Sequence, residues 1–312
     1  MRPSFVLNLK LIDLKGDGKM SDYLLKSICF DGQVRVYTID ATETVREAQK
    51  RHDTWSASSA ALGRTMIGAL LLGATLKGKE KITVKVEGNG PAGHIIVDSN
   101  SKGEVKGYIA NPKVSLPPNA AGKIDVRGAV GTEGSLTVTK DLGMKDTFSG
   151  QVPLISGELG EDFTYYMANS EQTPSAFGLS VLVDTDDSIK TAGGFMIQVM
   201  PGATDETITK LEQSIASIPM VSHLMETGEK PEEILERLVG EGNAKILEKA
   251  PITFNCDCSK DRFSRAIIAL GSKEIDDMIT EDQGAEASCH FCGNHYHYTV
   301  EDLEALKVSS NS

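Results

Sequence analysis

Four of the chain's five cysteines fall in its last quarter, as Cys256-x-Cys258 and Cys289-x-x-Cys292. Two close pairs of thiolates supply the tetrahedral sulfur set that zinc prefers. A single turn lets both sulfurs of a pair reach one ion, and the long insertion between pairs leaves room for a helix across the site. We therefore expect one Zn2+ per chain, bound by Cys256, Cys258, Cys289 and Cys292, with the shell closed and no open catalytic position. His290, His295 and His297 lie beside the second pair as reserve ligands that a complete shell does not need. On spacing alone, a purely structural zinc knob remains the plain alternative.

Two features argue for more than a knob. Ordinary zinc ribbons carry Cys-x-x-Cys at both ends, whereas Cys256-Asp257-Cys258 has a one-residue gap. A disulfide across that gap closes a tight ring, and strained bridges are the labile, reversible ones. Lys260, Arg262 and Arg265 also stand close by in sequence and are expected to favour thiolate over thiol.

The rest of the chain bounds the problem. Its 312 residues suffice for one large domain and a small one, and 40% hydrophobic content is enough for a packed core. A net charge of −12 repels polyphosphates, so a nucleic-acid partner is not expected. Residues 1–19 resemble a signal peptide only until Asn8 and Lys10 break the apolar run. Met20 offers a second start, so 1–19 are expected to be an N-terminal extension. The stretch MIGALLLGATL from Met66 is too short to span a bilayer. A cytoplasmic location without membrane association is expected, and in a reducing compartment clustered cysteines point to metal or redox chemistry.

The pattern predicts an α+β fold. Residues 20–200 form the core domain: a hairpin around DGQ between Tyr23 and Tyr37, and a helix from Thr42 to about His52. A long buried helix follows and closes at Gly78, and strands dominate from Ile82 to Ile109. Strand-and-turn text continues to Val199. Residues 201–250 form an acidic helical linker, in which Ile208, Leu211, Ile215 and Ile218 share one stripe and Pro231 opens a second helix. Residues 251–312 carry the cysteines around one central helix, SKDRFSRAIIALG, with a capped helix from Thr299. The run Gly88-Asn-Gly90-Pro-Ala-Gly93 matches a dinucleotide fingerprint by letter, but a strand follows it where that fingerprint needs a helix. No phosphate-binding P-loop motif, G-x-S-x-G or H-E-x-x-H occurs. Cys29 reads as a small strand residue outside the cluster.

The two cysteine pairs, with HDTWSASSAALGRTMIGALLLGATLKG, VKVEGNGPAGHIIVDSNSKGEVKGYIANP and FNCDC, resemble the redox-regulated heat shock protein 33 family across about residues 22–307. The resemblance implies an ATP-independent holdase, not an enzyme, that is inactive while its reduced cysteines hold zinc. It implies redox-active disulfides Cys256–Cys258 and Cys289–Cys292 on oxidation, with loss of zinc, unfolding of the zinc region and linker, and exposure of apolar surface. It further implies homodimers when oxidised, unfolded client proteins as partners, and an ATP-dependent chaperone system downstream. The Ile208–Ile218 stripe then reads as a packed helix face or as client-binding surface. A zinc-ribbon nucleic-acid module and a thiol–disulfide oxidoreductase stand as rival functions.

Overall fold

The computed structural model describes residues 22–310, so the expectation for 1–19 lies outside it. Its architecture is α+β, with two mainly antiparallel sheets and one helix between them. The first sheet contains β1 (Tyr23–Cys29), β2 (Val34–Asp40), β8 (Ser175–Val183), β9 (Ile189–Val199) and β10 (Ala244–Pro251), in the order β10-β1-β2-β9-β8. The second contains β3 (Lys81–Gly88), β4 (His94–Asn100), β5 (Glu104–Ile109), β6 (Gly134–Asp141), β7 (Phe148–Pro153) and β11 (Thr253–Phe254), in the order β11-β5-β4-β3-β6-β7. Helix α1 (Thr42–His52) follows β2, and α2 (Ser56–Gly73) packs against both sheets.

Helix α2 is buried all round, from Ala57 to Gly73, because small residues on every side let two sheets approach it. Glycine costs a helix interior about 0.5–1 kcal/mol, yet a Cβ at Gly68 would lie 2.4 Å from the ring of Phe163. The helix ends at Gly73, short of the expected Gly78. The amides of Thr75 and Leu76 take the carbonyls of Leu72 and Gly73 in tight i→i+3 bonds, and the Thr75 hydroxyl adds a bond to Leu72 O. The Gly88–Gly93 run is the turn between β3 and β4. A Cβ at Gly90 would sit 2.3 Å from Ala129 O on the short helix α3 (Val126–Val130).

Helix α4 (Gly160–Asn169) was not expected amid so many glycines. Its signal is Asp162, fully buried, whose carboxylate accepts from the amides of Ile155, Ser156 and Leu159. It caps the helix from inside the first turn, a position that a search for flanking caps overlooks.

Helices α5 (Asp205–Ser217), α6 (Val221–Glu226) and α7 (Pro231–Val239) cover the outer face of the first sheet. Leu211, Val221, Leu224, Ile234, Leu235 and Leu238 bury against Cys29, Val34, Val36, Phe195 and Ile197. Ile215 and Ile218 join that cluster partly buried. The anchorage is firmer than an acidic connector suggested, because β1, β2 and β9 are apolar on both faces and need a second cover. Residues 244–250, expected within the helical linker, are instead part of β10. Pairing along all of β1 overrides the helix propensity of AKILEKA.

After β11 come α8 (Lys260–Leu270), α9 (Ser272–Thr280), the hairpin β12 (Ala285–Ser288) and β13 (His295–Tyr298), and α10 (Val300–Ser310). Ser259 Oγ caps α8 by accepting from the Arg262 amide, and Thr299 Oγ1 caps α10 through the Asp302 amide. The buried apolar centre here is small: Ile267, Ile275, Tyr298 and Leu303. Helix α9 was missed beside the single expected central helix.

Candidate metal centre

Chain geometry brings the two distant cysteine pairs together. Cys256 and Cys258 lie between β11 and α8, just past the amide of Asn255, which donates to Val105 O on β5. Cys289 and Cys292 lie in the turn between β12 and β13. There the amides of Cys292 and Gly293 both donate to Cys289 O, and Cys289 N donates to Asn294 O. Gly293 takes φ +71°, and a Cβ there would press to 3.1 Å from Arg51 O. All four Sγ atoms lie within 4.8 Å of one another. The Cys256–Cys289 and Cys258–Cys292 sulfurs are 3.7 and 3.3 Å apart. Tetrahedral Zn–S bonds of about 2.3 Å place neighbouring sulfurs about 3.8 Å apart, so the donor set fits one metal ion.

The electrostatics point the same way. Burial pushes the Cys256 thiol up to about 11 and raises Cys292 as well. Burial also opposes ionisation of Cys258, but hydrogen bonds from the Tyr296 hydroxyl, at 3.1 Å, and from neighbouring thiols outweigh it. They bring that group down to about 7. Such a cluster holds four thiolates together only with a cation among them.

Lys260 is paired with Asp302 at 2.8 Å and Arg262 with Asp257 at 3.1 Å. The lysine that feels the charge of Cys256 is Lys106 on β5, which also holds Asp257 at 2.6 Å. Distance along the chain hid Lys106, whereas Tyr296, four residues past Cys292, was open to notice.

His295 and His297 both pair with Glu286, at 2.7 and 3.1 Å, and His290 lies against the ring of Tyr108. None of the three joins the sulfur group. Cys29 is buried beneath α5–α7, and desolvation pushes its thiol up to about 12.

The second cysteine turn is docked on the core. Arg51 Nη1 donates to Cys292 O at 3.3 Å and to Asn294 Oδ1 at 3.4 Å, and His52 Nε2 lies 3.2 Å from Phe291 O. Phe291 stands edge-on to Tyr108, with ring centroids 5.4 Å apart, and Lys106 Nζ lies 5.0 Å from its ring centre. The end of α1 and the middle of β5 thus form the seat of the cysteine turn.

Comparison with known proteins agrees with this architecture. The family described as Hsp33 protein matches residues 22–299. The 33 kDa chaperonin of Enterococcus faecalis is 66% identical over 288 residues, covering 92% of this chain and 97% of the relative. Its counterpart in Listeria monocytogenes serotype 4b is 57% identical over 289 residues, covering 92% of this chain and 98% of the relative. The crystal structure of the 33 kDa chaperonin from Thermotoga maritima superposes with a TM-score of 0.88 at 40% identity, covering 94% of this chain and all of that one. No described helix is long and apolar enough to cross a membrane. The chain belongs to the Hsp33 family.

Proposed function

We propose that this protein is a redox-regulated, ATP-independent holdase of the cytoplasm, with no catalytic residue. The observation that carries the proposal is the convergence of four cysteine sulfurs within 4.8 Å, in a region whose own buried core is four side chains. Cys256, Cys258, Cys289 and Cys292 hold one Zn2+ when reduced. Bound zinc supplies the positive charge that keeps four thiolates together and ties β11 to the β12–β13 turn.

The switch is a two-electron oxidation of each pair. Two thiolates lose one electron each and join as a disulfide, Cys256–Cys258 or Cys289–Cys292. For each bridge, one peroxide takes the two electrons and, with two protons, leaves as two waters. Each bridge removes two ligands, so the site no longer binds the ion. A region this small holds about 3–5 kcal/mol of its own stability, against roughly 10–16 kcal/mol from a structural zinc site. Oxidation therefore unfolds the region from β11 onward.

Strand β10 runs directly into β11 and the first cysteine pair, which gives the unfolding a route back to α5–α7. Releasing those helices bares Val34, Val36, Phe195 and Ile197 on the core, together with their own Leu211 and Leu235. The exposed surface binds unfolding clients and a second oxidised copy, and an ATP-dependent chaperone system receives the clients afterwards. The test measures suppression of client aggregation before and after peroxide, with released zinc counted in parallel. Suppression that appears with oxidation and follows zinc release, without nucleotide, supports the proposal. Equal suppression by both redox forms reduces the metal centre to a structural knob.

A further inference from the structure

The strand β10 has an unusual balance of contacts. It is the outermost strand of its sheet and pairs with β1 from Tyr23–Pro251 to Cys29–Ala244. Flanking bonds extend the pairing, from the Phe30 amide to Asn243 O and from the Ile252 amide to Asp22 O. Yet Lys245 to Glu248 and Lys249 are exposed on both faces of the strand, with Ile246 at 46% and Leu247 at 60%. Strand β1 is the opposite, with Tyr23, Leu24, Leu25, Ser27 and Cys29 buried. Lys26 pairs with Glu248 and Ser27 with Ile246, so Leu247 is an extra bulged residue that interrupts the register.

Strand β10 is therefore held mainly by main-chain hydrogen bonds. Its side-chain ties are few: Lys26–Glu248 at 2.9 Å, Lys249–Glu232 at 2.9 Å, and Lys249 over the Tyr23 ring at 3.7 Å. Main-chain pairing reads extended conformation and not sequence. An edge that accepts a strand with so little side-chain burial will accept many other extended strands in its place. The same stretch continues into β11, which seals the edge of β5 by pairing Thr253 with Glu104 and Phe254 with Val105.

We propose that the β1 edge is a strand-addition site for extended segments of unfolded client proteins, and that β10 is its resident occupant in the resting protein. The inference rests on the switch proposed above only in supposing that oxidation is what removes β10. Once β10 leaves, β1 presents a row of unpaired amides and carbonyls on a rigid sheet. A client that has lost its fold is rich in matching unpaired groups. The site selects unfolded over folded chains because only the former can lie extended along it.

The test uses the full chain and, as probe, a reduced, carboxymethylated protein that stays unfolded. A Lys245→Pro, Ile246→Pro variant is kept reduced and zinc-loaded. Successive strand amides point to opposite sides, so one of the two prolines deletes a donor aimed at β1. The expected result is probe capture by the variant without oxidation. Alternate β1 amides should exchange at least about tenfold faster than in the parent and regain protection when probe is added.

A second measurement, independent of that variant's folding, adds a synthetic peptide of residues 243–252 to the oxidised parent. The peptide should displace the probe, and the same peptide with N-methylated amides should not. Probe capture without renewed β1 protection, or equal displacement by both peptides, overturns the inference and leaves the holdase reading standing. Renewed protection without probe, at doubled mass, assigns the edge to a second copy and overturns the client assignment. Oxidised parent that keeps β10 paired and captures nothing overturns the holdase switch instead, a result separate from that of the reduced variant.

Discussion

The core around α2 and the region beyond β11 reach folded structure by opposite means. In the core, two sheets and α2 share one continuous apolar cluster, from Leu24 through Met196 to Ile252, that is built without metal-binding side chains. Beyond β11, the fully buried apolar centre is Ile267, Ile275, Tyr298 and Leu303 with a rim of partly buried side chains, and beside it lie four cysteine sulfurs whose thiolates repel one another without a cation. Stability spread over many contacts is hard to switch off. Stability concentrated in one chemically labile site can be removed in one step, while the rest of the molecule stays intact.

The largest expected effect is metal removal. Chelation under reducing conditions should unfold residues 253–307 and leave β1–β9 protected, because the lost ion outweighs the few kcal/mol of local packing. Size-exclusion volume and residue-level exchange will show it, and a C-terminal region that stays protected without metal would break the comparison.

The second effect works on the other side. Phe163 is fully buried and stacked on Phe177 at 5.4 Å. Phe163→Ala should cost about 3–5 kcal/mol in the core. Its denaturant midpoint should fall while metal content stays at one ion per chain; a loss of metal along with it would mean that the two regions are not separable.

A smaller effect is expected at the seat between them. Arg51→Ala removes the donors to Cys292 O and Asn294 Oδ1, and should cost about 1 kcal/mol of docking. Core stability should hold, while zinc loss to a chelator quickens several-fold. An unchanged rate would make the seat incidental to the site.

The smallest effect concerns acid. Burial pushes the Glu171 carboxyl up, but bonds from Lys140 and Tyr166 outweigh it and hold it below the ordinary glutamate range. With the folded value depressed, its contribution is present above the unfolded value and is lost as pH falls through the folded one. Glu171→Gln should flatten that part of the acid-stability curve of the core, and a curve of unchanged shape would assign the loss to other carboxylates.

Much of the contrast was legible in the sequence, for physical reasons that differ by element. Helix α2 announces itself through a long run rich in Ala and Leu, the hairpin β1–β2 through alternation, and the cysteine pairs through spacing alone. Helix α4 was hidden because its cap, Asp162, sits inside the helix. Strand β10 was hidden because its state is set by β1, more than two hundred residues earlier in the chain. The seat of the cysteine turn stayed invisible for the same reason. Arg51, His52, Lys106 and Tyr108 sit in the core, and no local pattern ties them to Phe291 or Cys292.

On the proposed switch, oxidation dismantles the metal-held region and its attached strand while the core persists. Hydrogen exchange on reduced, zinc-loaded protein and on peroxide-treated protein tests it most directly. Protection should collapse from about Thr204 to Lys307, including β10, and survive in α2, β3, β4 and β9. Protection that stays the same across residues 253–307 after both disulfides have formed and zinc has left would contradict it.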